Sequence, residues 1–125
     1  PFLIEDVTPR SERIPQTFHH RNGVTGIDKV RVAVGELRQI EKWYGSLLGK
    51  RGTAITVADL GAEGLRFEVG PHIFEFLTPS DAASPLVDWL RRFGPSPYST
   101  VLKGDALLLK PFDPRLTHGT HLFVK

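Results

Sequence analysis

The stretch Gly26-Ile27-Asp28-Lys29-Val30-Arg31-Val32-Ala33-Val34, running into Gly35-Glu36-Leu37, decides the fold. Over 27–34 the side chains alternate, with Val30, Val32 and Val34 on one side and Ile27, Lys29, Arg31 and Ala33 on the other. That pattern predicts a strand with one buried face. Directly after it, Leu37, Ile40, Tyr44, Leu47 and Leu48 recur at helical spacing, with Glu36 placed for the first turn and Gly49 after the last apolar residue. The period therefore switches from two to 3.6 within a few residues, and an amphipathic helix follows the strand.

Working outward towards the C-terminus, three short strands are predicted at 53–58, 64–69 and 72–78, separated by the turn chemistry of Gly61-Ala62-Glu63-Gly64 and Gly70-Pro71. A second helix is predicted over 82–93 from Leu86, Trp89, Leu90 and Phe93, closed by Gly94-Pro95 and Pro97. Arg91-Arg92 at its end suits the helix dipole. Apolar segments at 98–102, 106–109 and 120–124 read as further strands, an incomplete second copy of the strand-rich unit. Towards the N-terminus, Phe2-Leu3-Ile4 looks like a short strand, and Ser11 to Asn22, with Pro15 and two adjacent histidines, reads as a connector. The expectation is one α+β domain over 1–125: a tail strand and connector at 1–25, a strand-helix-three-strand module at 26–79, and a crossover helix with closing strands at 80–125.

At 125 residues and 40% hydrophobic content, the chain has enough material for one ordinary core. No apolar run approaches the roughly 20 residues that span a bilayer, so no membrane partner is expected. Net charge is +2 with basic and acidic residues intermixed, which argues against nucleic acid. The absence of cysteine removes thiolate nucleophiles and thiolate metal sites and makes a cytoplasmic location the expectation. Methionine is absent too, which fits a chain cut from a longer protein, a C-terminal half being the favoured reading.

Three segments together resemble one family: Gly26-Ile27-Asp28-Lys29-Val30, Trp43-Tyr44 with Leu47-Leu48-Gly49, and Phe74-Glu75-Phe76-Leu77-Thr78-Pro79. This combination resembles the vicinal oxygen chelate superfamily, which includes glyoxalase I, bleomycin-binding proteins and extradiol dioxygenases. The likeness covers the βαβββ module at 26–79. The opening Pro1–Pro9, the Asn22-Gly23-Val24-Thr25-Gly26 entry and Leu116-Thr117-His118-Gly119 resemble, more narrowly, the second half of two-module glyoxalase-like proteins. The resemblance implies a cup-shaped mixed or antiparallel sheet that holds a small molecule, formed by pairing with a second module or in a homodimer. It also implies a divalent metal held by a His in the first strand and a Glu in the fourth. Here those positions carry Lys29 and Glu75. A lysine ammonium, with a reference pKa near ~10.4, offers no lone pair at neutral pH, so no metal is the favoured reading and a divalent ion is the alternative.

Two physical readings of Lys29 stay open. Its ammonium replaces the metal's charge and pairs with Glu75, or Lys29 and Arg31 present donors to an anionic ligand, for which Arg31 supplies a bidentate fork. The alternation turns Lys29, Arg31, Ile73, Glu75 and Leu77 towards the cup, so its lining is predicted basic with one acid. Tyr98 is a candidate hydrogen-bond donor to the ligand, with Ser99 beside it. A metal site built from Glu75, His118 and His121 is the alternative, and it requires the last strand to lie beside the strand of Glu75. His19-His20 read as a solvated loop, His72 as a strand-edge residue facing away from Glu75, and of Trp43 and Tyr44 only one can face the core.

These readings converge on a glyoxalase-like small-molecule binding module whose catalytic residues, if any, lie partly outside this chain. The alternatives are a metal-dependent lyase, isomerase or dioxygenase acting on vicinal oxygens, and a protein that sequesters a drug or metabolite without chemistry.

Overall fold

The structure, a computed structural model, describes residues 5–15, 20, 23–104, 112–113 and 115–125. A single turn of helix, α1 (Arg10–Arg13), begins one residue before the segment expected to be a plain connector and occupies its start, held by bonds from Glu12 N to Pro9 O and Ile14 N to Arg10 O. Then come β1 (Gly26–Ala33), α2 (Leu37–Leu48), β2 (Thr53–Val57), a 3₁₀ turn (Ala58–Leu60), β3 (Ala62–Val69), β4 (His72–Pro79), α3 (Pro85–Phe93), β5 (Ser96–Lys103) and β6 (His121–Val124). The expected strands at 2–4 and 106–109 fall outside the described residues.

Glu36 caps α2 by accepting a bond from Arg38 N at 3.2 Å, and Gly49 ends the helix in the left-handed region at φ 64°, where a side chain would be strained. For α3, Pro85 occupies the first turn and Ser84 caps it, which starts the helix three residues later than its apolar spacing suggests. Gly61, also left-handed, ends the 3₁₀ turn, so β3 begins at Ala62 rather than Gly64. Gly70-Pro71 makes the two-residue hairpin turn that pairs Val69 with His72.

Among the described residues the strands form a six-stranded sheet in the order β2-β3-β4-β1-β5-β6. β1 runs parallel to β4 and antiparallel to β5, and β6 runs parallel to β5. α2 covers one face, where Val34, Ile40, Phe67 and Phe76 are buried with Val32, Tyr44, Leu65 and Phe74 against them. α3 covers one end of the other face, packing Leu86 on Ala33, Val57, Ala62 and Leu77. Ala33 and Val34 are both buried although they point to opposite sides, because a helix covers each side at that level. Tyr44 joins the α2-side core, its ring centroid 4.4 Å from that of Phe76, while its neighbour Trp43 is exposed. No helix among the described residues is long and apolar enough to cross a membrane.

Candidate functional site

On the face carrying α3, one level below that helix's footprint, a polar row crosses the sheet. Strand pairing places His121, Ser99, Arg31, Glu75, Arg66 and Thr53 successively opposite one another on β6, β5, β1, β4, β3 and β2. Residues paired across strands project to the same side, so these six share the face. Lys29, two residues before Arg31, joins them.

At the centre sits Glu75, 1% exposed. Its Oε1 accepts from Lys29 Nζ at 3.1 Å, from Arg66 Nε at 3.1 Å and from Arg66 Nη2 at 2.7 Å, and its Oε2 accepts from Arg31 Nε at 3.0 Å. Burial alone would raise the carboxyl's pKa, but the bonds from Arg66, Arg31 and Lys29 and the charge of Lys29 outweigh it and hold Glu75 below its ordinary value. An ionised carboxylate is tolerated there because every cation around it donates to it. The balance is uneven among the described residues: three cations face one buried acid, and Asp59, exposed, lies 3.9 Å from Arg31 Nη1.

Arg66 escaped the sequence reading, although a signal for it existed. The two-residue turn at Gly70-Pro71 fixes the β3–β4 register, so the residue three before Val69 must oppose the residue three after His72. The pairing of Arg31 with Glu75 had no such local signal, since it joins strands 44 residues apart.

Tyr98 enters through an irregularity. Arg31 pairs with Ser99 but Val32 pairs with Pro97, so Tyr98 is the extra residue of a bulge, next to Pro97, which has no N–H to give. Both Tyr98 and Ser99 are buried. Tyr98 packs edge-on against Trp89 and His121, at centroid distances of 5.2 and 4.8 Å. Burial pushes its phenol pKa up, with Arg31 opposing and Asp59 adding to the rise, so it stays a neutral donor. A cavity of about 240 Å³ opens here, lined in part by Trp89, Phe93, Tyr98, Ser99 and His118.

The metal alternative built on Glu75, His118 and His121 does not come together. β5 and β1 lie between β6 and β4, so His121 stands three strand spacings, about 14 Å, from Glu75, whereas ligands of one ion lie within a few ångströms of each other. Among the described residues no three His, Asp or Glu side chains group to hold an ion. Nor does the position of Lys29 and Glu75 suit a divalent cation, since both carboxylate oxygens are engaged by positive groups that would repel it. His72 is exposed at the start of β4, His20 lies before β1, and His19 falls outside the described residues.

No protein-family model matches the chain, and a search of curated proteins finds no match. Solved structures do match. Methylmalonyl-CoA epimerase from Mycobacterium tuberculosis superposes with a TM-score of 0.72 at 18% identity, over 86% of this chain and 91% of that one. The fold is the glyoxalase-like one. A hypothetical protein from Bacillus halodurans shares it with a TM-score of 0.67 at 15% identity, over 79% and 93% of the two chains. So does a Streptomyces coelicolor methylmalonyl-CoA epimerase variant in complex with 2-nitronate-propionyl-CoA, with a TM-score of 0.64 at 14% identity over 81% and 96%. The glyoxalase-like fold puts Lys29, Arg31, Arg66 and Glu75 on the face opposite α2, beside α3.

Proposed function

We propose that this chain is a small-molecule binding module whose α3-side face holds an organic anion on Lys29, Arg31 and Arg66, with Glu75 as the fixed counter-charge that positions them. One observation carries the reading: Glu75 already takes three bonds from two guanidiniums, so Lys29 is not needed to satisfy it and its charge is surplus. An anionic ligand supplies the missing negative charge, with guanidinium and ammonium donors suited to carboxylate or phosphate. Complexes of epimerases of the same fold with methylmalonyl-CoA and with 2-nitronate-propionyl-CoA, both organic anions, support it. Glu75, held ionised by three cations, is a weak base, which favours binding over proton abstraction by that residue. The reading includes a second copy or second module completing the cup, since among the described residues β2 and β6 stand at the two edges of the sheet.

Thermal unfolding with and without phosphate or a short carboxylate tests it. A ligand at a hundredfold its Kd adds about 2.7 kcal/mol, a readily measured rise in Tm. Lys29→Met is expected to lose most of that rise while its ligand-free Tm stays close to wild type. A large drop in the ligand-free Tm with an unchanged anion effect would sink the reading and leave Lys29 a structural partner of Glu75. Light scattering on the same samples reads the association, and stoichiometric metal by elemental analysis would favour the metal-dependent isomerase reading instead.

A further inference from the structure

The cavity at the β5 bulge, whose lining includes none of the clustered cations, borders a group with nothing to bond. Ser99 is 2% exposed, lines the cavity, and its hydroxyl has no hydrogen-bond partner among the described residues. A buried hydroxyl left unbonded is costly, and such orphans point to a ligand or an ordered water. Ser99 stands directly opposite Arg31 in the β1–β5 pairing, one strand spacing away, so a group bonded to Ser99 is within reach of the cluster's charge.

Three aromatic side chains, Trp89, Phe93 and Tyr98, form one part of the cavity wall, with Pro97, Thr100 and Thr120 in the remainder. Trp89 spends its indole N–H on Ser96 Oγ at 2.9 Å, so what it gives the cavity is its ring. Tyr98 meets that ring edge-on, and Phe93 lies 4.6 Å from Trp89 by centroids. Phe93, 61% exposed, is a large apolar side chain left at the rim. His118, also at the wall, holds a left-handed backbone at φ 53°, unusual for a residue other than glycine and a kind of strain that gathers at binding sites. A cavity of roughly 150 Å³ suffices for benzene. At about 240 Å³ this one has room for one ring and a substituent.

We propose that the ligand is a single-ring aromatic carboxylate, with its ring among Trp89, Tyr98 and Phe93 and its carboxylate shared between the Ser99 hydroxyl and the Arg31 and Lys29 cations. This rests on the anion-binding reading and adds the ring and the serine. The Ser99 hydroxyl donates to the carboxylate, and the aromatic walls exclude water from the bond.

Calorimetric titration of the full chain with benzoate, propionate and benzyl alcohol separates the parts. Benzoate is expected to bind at least about tenfold more tightly than either of the others, and Ser99→Ala to weaken benzoate about tenfold while leaving Tm near wild type. Equal binding of propionate and benzoate would overturn the ring site and leave the anion reading standing. Equal binding of benzyl alcohol and benzoate would overturn the anion reading, and this assignment with it. Should Ser99→Ala fail to fold, Trp43→Phe, at an exposed position, leaves Trp89 as the lone indole. Benzoate must then change its fluorescence where propionate does not, and an unchanged signal overturns the proposal.

Discussion

The two faces of the sheet are stabilised by different physics from neighbouring residues of the same strands. On the α2 side, Phe74, Phe76 and Phe67 exclude water by packing, Phe67 and Phe76 meeting edge-on at 6.0 Å. On the α3 side, the residue between Phe74 and Phe76 is an ionised carboxylate, buried as completely as the Phe76 ring and more so than that of Phe74. The aromatic face gains stability by removing apolar area from water, with no demand on charge. The polar row gains little net stability from its bonds, because desolvation offsets much of the attraction, but removing its central carboxylate leaves three cations without their counter-charge. A face arranged in this way commits the molecule to holding charge at a fixed place, the feature on which the proposed anion site rests.

The strongest test of that contrast pairs Glu75→Ala with Phe76→Ala. Both are expected to cost about 3–5 kcal/mol in denaturant unfolding, the first by leaving three cations together, the second by opening a cavity. They should part in sulfate or phosphate, where Glu75→Ala recovers beyond any general salt effect seen with Phe76→Ala. Identical salt responses would mean that the polar row is not organised around its carboxylate.

A smaller effect is expected in acid. The pKa of Glu75 is lowered on folding, so its contribution is fully present above the unfolded value near 4.5 and is lost as pH falls through the lower folded value. The unfolding free energy of wild type should therefore fall between pH 4.5 and the acid limit more steeply than that of Glu75→Gln. Parallel curves would remove Glu75 as the source. Phe76→Ala should keep the wild-type slope.

The smallest effect belongs to Arg66→Met, about 1 kcal/mol, because Arg66 is partly exposed and Glu75 retains Arg31 and Lys29. Urea midpoints at low and high salt read this directly. A loss as large as that of Glu75→Ala would make Arg66 the main partner and shrink the cationic surplus assigned to Lys29.

Much of this organisation was legible in local patterns. The alternation at 27–34 placed Lys29 and Arg31 opposite the valines, and the helical spacing at 37–48 marked α2, because strand and helix periods are properties of consecutive residues. The Gly70-Pro71 turn even contained the position of Arg66, since a two-residue hairpin fixes its own register. Local pattern could not place α1, whose four residues have no apolar repeat, nor the bulge that turns Tyr98 towards α3, which depends on how β5 meets β1.

By itself, then, the sequence determined which residues share a face: period and turn length act over a few bonds, and Lys29, Arg31 and Glu75 follow from them. Only the tertiary structure decided which strands are neighbours. Beyond the β3–β4 hairpin, whose own turn sets Arg66 against Glu75, the order β2-β3-β4-β1-β5-β6 brings Arg31 to the other side of Glu75, moves His121 three strands away, and sets Ser99 against Arg31. Those adjacencies join residues far apart in the chain, where the choice of partner rests on burial and helix packing on both sides of the sheet, and no local pattern records it.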